Sequence, residues 1–93
     1  HVPFCARRCS YCDFAIAVRA RVPVDEYLGA LAGELDARAD VPRVAPDRWP
    51  VDTLYFGGGT PSRLGGAGLA RAVELLRARF TLAPAAEVTA EAN

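Results

Sequence analysis

Three cysteines stand near the start of the chain, Cys5, Cys9 and Cys12, in the spacing C-x-x-x-C-x-x-C. Thiols clustered this way serve metal or redox chemistry in a reducing compartment, and an odd count cannot be paired off as disulfides. Two metal readings compete. Zinc takes four ligands in a closed tetrahedron, and His1, four residues before Cys5, can in principle complete a Cys3His set. A cubane iron-sulfur cluster takes soft thiolates, normally one per iron, so three cysteines leave one iron open to another ligand. Structural zinc sites usually come as two knuckles separated by a longer stretch, whereas these ligands share one tight loop, so the spacing favours the cluster.

Other residues carry weaker signals. The run Gly57-Gly58-Gly59-Thr60 follows an apolar segment, and glycines there permit positive φ and a close backbone approach to the polar end of a ligand. A tight strand-to-helix turn needs the same residues. Glu91 falls near the end of a strand pattern, where ligand sites gather in parallel α/β folds, although a solvated carboxylate suits the position too. Tyr11 has either a packing or a ligand-facing role. Arg7 and Arg8, inside the cysteine loop, put positive charge beside the thiols and favour thiolates, or are plain exposed loop residues.

The elements that must position these groups are readable from periodicity. Residues 1 to 14 read as a strand end followed by a loop. From Val24 to about Asp40 the apolar positions Val24, Tyr27, Leu28, Leu31, Leu35 and Ala39 recur at helical spacing, with Asp25 as cap or first-turn acid and Gly29 and Gly33 as weak points. Pro42 to Pro50 is a connection. Val51 to Phe56, apolar on nearly both faces, reads as a buried parallel strand. A second amphipathic helix is expected from Gly66 to Phe80, with Leu69, Val73, Leu76 and Phe80 on one face and Arg77 and Arg79 in its last turn. A loop, TLAPAA, then leads to a third strand over Glu87 to Asn93. Strand, helix, strand, helix, strand is the order of a parallel sheet with helices outside it.

Composition sets the outer bounds. The 93 residues are 52% hydrophobic and 24% charged, with 11 basic against 11 acidic side chains and a pI near 6.8. Such a balance leaves no footprint for nucleic acid or an anionic membrane, and no apolar run nears the roughly 18 residues of a membrane span. All basic residues are arginine, which reflects composition bias. With no Met and an abrupt stop at Asn93, the text reads as an excerpt of a cytoplasmic protein, whose open sheet edge is expected to leave it poorly stable alone.

The cysteine loop, the His1-x-Pro3-Phe4-Cys5 lead, Tyr11 before Cys12, the Phe56-Gly57-Gly58-Gly59-Thr60-Pro61-Ser62 run and the Glu87-x-Thr89-x-Glu91-x-Asn93 segment together resemble the radical S-adenosylmethionine superfamily. Within it the chain looks like the branch holding HemW-type heme chaperones and oxygen-independent coproporphyrinogen III oxidases, and the resemblance covers essentially the whole chain. It implies an α/β fold, the N-terminal half of an incomplete (β/α)6 barrel. Residues 1–93 form part of the core domain, with the cluster loop at 5–12 and the glycine turn at 57–60; the rest of the barrel, a second domain and the substrate site are expected beyond Asn93.

The resemblance further implies that Cys5, Cys9 and Cys12 hold a [4Fe-4S] cluster. Gly58, Gly59 and Thr60 would meet the amino end of S-adenosylmethionine, with Glu91 and Tyr11 as further contacts. Implied partners are heme or a porphyrin, an electron donor such as flavodoxin or ferredoxin, and heme-receiving respiratory proteins, with at most peripheral encounters with a membrane. The oxidases resemble C-x-x-x-C-x-x-C-x-C; here the final position is Phe14, which favours the heme-chaperone type, with the oxidase as the alternative.

Overall fold

The computed structural model describes residues 1–39 and 50–93. Within them the chain forms β1 (Phe4–Cys5), β2 (Ala17–Val18), α1 (Val24–Ala37), β3 (Val51–Phe56), a 3-10 turn (Pro61–Leu64), α2 (Gly65–Arg77) and β4 (Leu82–Ala90). The expected alternation is present. The strand pair β1·β2, however, was not foreseen, because two residues are too few to show a period. The expected connection Pro42 to Pro50 lies outside the described residues except for its last position.

Both strand pairs are parallel. β1 aligns Phe4 with Ala17 and Cys5 with Val18. β3 aligns Thr53 with Glu87, Tyr55 with Thr89 and Phe56 with Ala90, after an irregularity between Val51 and Thr53. The pairs are stitched together just beyond β3: Val2 bridges to Gly58, its N–H donates to the Gly57 carbonyl at 2.8 Å, and the Thr60 N–H donates to the Phe4 carbonyl at 2.9 Å. Each bond satisfies a backbone group that burial would otherwise leave unpaired. The result is a small α/β unit, compatible with part of a larger α/β domain.

The helices pack on one side. Val2, Phe4, Leu28, Phe56, Leu64 and Ala72 form the buried core, with Val24, Tyr27, Leu54, Leu69, Val73 and Leu76 against it. Burying a leucine such as Leu28 or Leu64 contributes about 1.5–3 kcal/mol. Asp25 lies in the first turn of α1 after Pro23 at the cap, and pairs with Arg71 of α2 at 2.7 Å.

Several boundaries differ from the sequence expectation. α1 ends at Ala37, short of Ala39. α2 starts at Gly65 and stops at Arg77, so Arg79 lies beyond its last turn, bonded instead to Asp36 at 2.9 Å. β4 begins at Leu82 within the expected loop and ends at Ala90, before Glu91. Pro84 falls in the register irregularity between Leu82, opposite Val51, and Glu87, opposite Thr53, so the regular ladder begins at Glu87, where the strand was expected. β3 is also not buried on both faces: Phe56 is buried, while Tyr55 is 62% exposed, because the helices cover only one side. Among the described residues no helix is long and apolar enough to cross a membrane.

Candidate functional site

The site gathers where the strands end. Cys5 closes β1, and the chain then leaves the sheet through a loop carrying Cys9 and Cys12 before returning as β2. Within that loop the Cys12 N–H donates to the Cys9 carbonyl at 3.1 Å, and the Arg8 guanidinium donates to the Cys12 carbonyl at 3.3 Å. Opposite it, the glycine turn follows β3. Gly58 has φ +123°, a left-handed conformation that side chains disfavour, and its backbone lies under the His1 ring. Gly59 is required by proximity: a Cβ there would stand 2.8 Å from the Pro3 carbonyl oxygen and 2.9 Å from the Cys5 sulfur. The Gly59 N–H donates to the Val2 carbonyl at 2.8 Å.

Between loop and turn lies a cavity of about 450 Å³ lined by Cys5, Cys9, Cys12, Tyr11, Gly58, Gly59, Thr60 and Glu91. The three cysteines and the residues expected to contact S-adenosylmethionine therefore reach one space. Thr60 is buried, with its hydroxyl 3.7 Å from the Cys5 sulfur. Glu91 sits just past β4, its N–H donating to the Phe56 carbonyl at 3.0 Å. One carboxylate oxygen accepts the Tyr55 hydroxyl, and the other accepts the Gly58 N–H at 3.1 Å. The Tyr55 hydroxyl is held above the ordinary tyrosine value, first by this hydrogen bond, then by desolvation and the carboxylate's charge. Tyr11 is 88% exposed at the rim. Its hydroxyl is also raised, chiefly by hydrogen bonding to Cys9.

The donor chemistry fits an iron-sulfur cluster. All three thiols are free, soft, and turned to a common cavity. Among the described residues no three His, Cys, Asp or Glu side chains form a ready metal-holding group. His1 does not join them. Its Nε2 lies 2.9 Å from the Ala15 carbonyl, which accepts only, so Nε2 is the protonated nitrogen. The ring lines a neighbouring cavity with Phe14, Tyr55 and Glu91, which gives the Cys3His zinc arrangement no geometric support.

Two contributors were missed from the sequence. Arg63 lines the main cavity and donates to the Arg19 and Ala20 carbonyls at 2.7 and 3.1 Å, tying the 3-10 turn to the chain leaving β2. Tyr55, read only as a strand residue, holds Glu91. Both depend on register between distant segments, which no local pattern records.

Comparison with known proteins gives a consistent picture along the whole chain. It is 48% identical over 99 residues to heme chaperone HemW of Mycobacterium tuberculosis, covering 100% of this chain and 24% of that protein. It is 40% identical over 91 residues to anaerobilin synthase of Escherichia coli O157:H7, covering 98% of this chain and 20% of the relative. It is 39% identical over 94 residues to oxygen-independent coproporphyrinogen III oxidase of Salmonella typhimurium, covering 100% and 20%. The chain thus spans about a quarter or less of the length of these curated relatives. No family model matches, and no solved structure matches.

Proposed function

The chain belongs to the family of proteins that includes heme chaperone HemW, anaerobilin synthase and oxygen-independent coproporphyrinogen III oxidase, and from that premise we propose that it is the cofactor-binding part of a HemW-type heme-trafficking protein. The observation that supports this most is the single cavity shared by three thiols, the glycine turn and Glu91. In this reading Cys5, Cys9 and Cys12 hold a [4Fe-4S] cluster. Gly58, Gly59 and Thr60 receive the amino end of S-adenosylmethionine, while Glu91 and Tyr11 meet the rest of it. The strand pairs are then part of an incomplete (β/α)6 barrel, with the open face of β3 and β4 turned inward.

A [4Fe-4S] cluster held by Cys5, Cys9 and Cys12 would, once reduced by an external electron donor, supply one-electron reductive chemistry to bound S-adenosylmethionine. The chain's own work is binding and orientation. The Thr60 hydroxyl, 3.7 Å from the Cys5 sulfur, would donate to that sulfur once it is a cluster-bound thiolate. Arg7, in the cavity wall, places positive charge where thiolate charge gathers. Reduced thiols as ligands fit a cytoplasmic location.

Phe14 lines both cavities at the position where the oxidases resemble C-x-C, and an apolar ring there favours the chaperone type, with heme as cargo. The second reading, coproporphyrinogen III oxidase, converts two propionates to vinyl groups by decarboxylation and draws on the 39% identity to that enzyme. The full-length protein, reconstituted anaerobically, is expected to hold about four iron and four sulfide per chain, and to bind heme. Oxidation of coproporphyrinogen III with consumption of S-adenosylmethionine, and no heme binding, establishes the oxidase instead. One zinc per chain without sulfide overturns both.

A further inference from the structure

We propose that Tyr55 is a positioning residue that fixes the Glu91 carboxylate for its bound ligand, with Gly57 as the seat of its ring. The inference rests on the reading of Glu91 as a contact of S-adenosylmethionine.

The placement of Tyr55 is not explained by packing. The ring is absent from the residues that form or flank the buried core and is 62% exposed, so folding back gains it little apolar burial. It nevertheless lies across the Gly57 backbone, where a Cβ would stand 2.5 Å from its Cε1 and 3.2 Å from its Cζ. Only glycine at 57 leaves that path open. The path ends at Glu91, whose Oε1 accepts the hydroxyl while Oε2 accepts the Gly58 N–H.

The backbone of Glu91 is held on both sides as well, by the Phe56 carbonyl and by the Ser62 N–H at 3.2 Å. A carboxylate at the end of a strand is normally free to rotate among several rotamers. Here each oxygen is tethered to a different point of the β3 end, and the group still lines both cavities. Fixing a ligand contact before binding lowers the ordering cost that binding otherwise incurs. The titratable groups sharing the cavity with Tyr55 are Glu91, from the end of β4, and His1, from the chain before β1.

The test is a double-mutant cycle on S-adenosylmethionine binding to the anaerobically reconstituted full-length protein. Tyr55→Phe keeps the ring and removes the donor; it is expected to weaken binding about 3- to 10-fold, as for loss of a hydrogen bond to a charged group at an exposed site, with iron content unchanged. Glu91→Gln weakens binding itself, and adding Tyr55→Phe to it has no further effect. Fully additive losses, or a silent Tyr55→Phe beside a damaging Glu91→Gln, overturn the positioning role and leave the ligand-contact reading intact. A silent Glu91→Gln overturns that reading and the positioning role with it. A second readout separates position from packing: wild-type affinity falls as pH rises through the Tyr55 ionisation, because a phenolate repels the carboxylate, and Tyr55→Phe lacks this limb. An identical limb in both proteins counts against the proposal.

Discussion

The two walls of the cavity are built differently. The wall made by β1 and the glycine turn is tied by backbone hydrogen bonds, and Val2, Phe4, Cys5 and Thr60 are buried in it, Val2 fully. The wall made by the cysteine loop is open, with Tyr11 and Phe14 both exposed. One thiol therefore belongs to the fold and two belong to a loop that the fold merely anchors. The difference separates what the chain organises unaided from what a ligand has to organise, since loop segments with few buried contacts have little local stability of their own.

Substitutions can break or sharpen this contrast. The largest effect is expected from Cys9→Ala or Cys12→Ala in the full-length protein. Each should abolish cluster content, read as iron and sulfide per chain, while changing unfolding of the apo chain by less than about 0.5 kcal/mol. If either destabilises the apo chain as much as a core substitution, the loop is not the loose wall described.

Gly59→Ala attacks the other wall. The new methyl meets a backbone carbonyl and a buried thiol, neither of which can yield easily, so a cost of about 1–3 kcal/mol in urea unfolding is expected. Wild-type stability in this variant would show that the built wall has slack.

Gly29 and Gly33 supply the opposite control. A Cβ at either meets nothing within 4 Å, and both lie inside α1. Alanine there should stabilise by up to about 1 kcal/mol each. Destabilisation instead would reveal a covering partner for that face of α1.

The smallest effect concerns Asp36, remote from both walls. Its hydrogen bond from Arg79 holds the carboxyl below the ordinary aspartate value, against a smaller opposing desolvation. A depressed folded value means the contribution is present above the unfolded value and is lost as pH falls through the folded one. Arg79→Gln should raise the Asp36 midpoint in an NMR titration and flatten that acid loss; an unmoved midpoint shows the pair is not formed in solution.

The loop and turn were readable from sequence because their signals are local: three thiols in one short spacing, three glycines after an apolar run. Helix positions were readable for the same reason, since Leu28 and its neighbours in α1, and Leu69, Val73 and Leu76 in α2, repeat along one face. The ends of α2 and β4 were not. Arg79 leaves the helix for Asp36, and Leu82 pairs with Val51 ahead of the irregularity that holds Pro84; both follow from partners far along the chain. Tyr55 escaped for the same cause, because its link to Glu91 exists only once β3 and β4 are in register. The sheet also exposes more than its composition suggested, since Val51 to Phe56 is covered on one side alone.

Cys5 and Thr60 meet across 55 positions of sequence, and the parallel pairing that joins them is non-local, a kind of contact that forms slowly. The cysteine loop, by contrast, emerges before the glycine turn during synthesis. For a time the nascent chain displays all three thiols before their opposing wall exists. Thiols exposed in that interval are open to oxidation or to adventitious metal, from which the closed cavity would shield them. The order in which the walls appear makes the chemical state of these thiols a matter of timing as well as of structure.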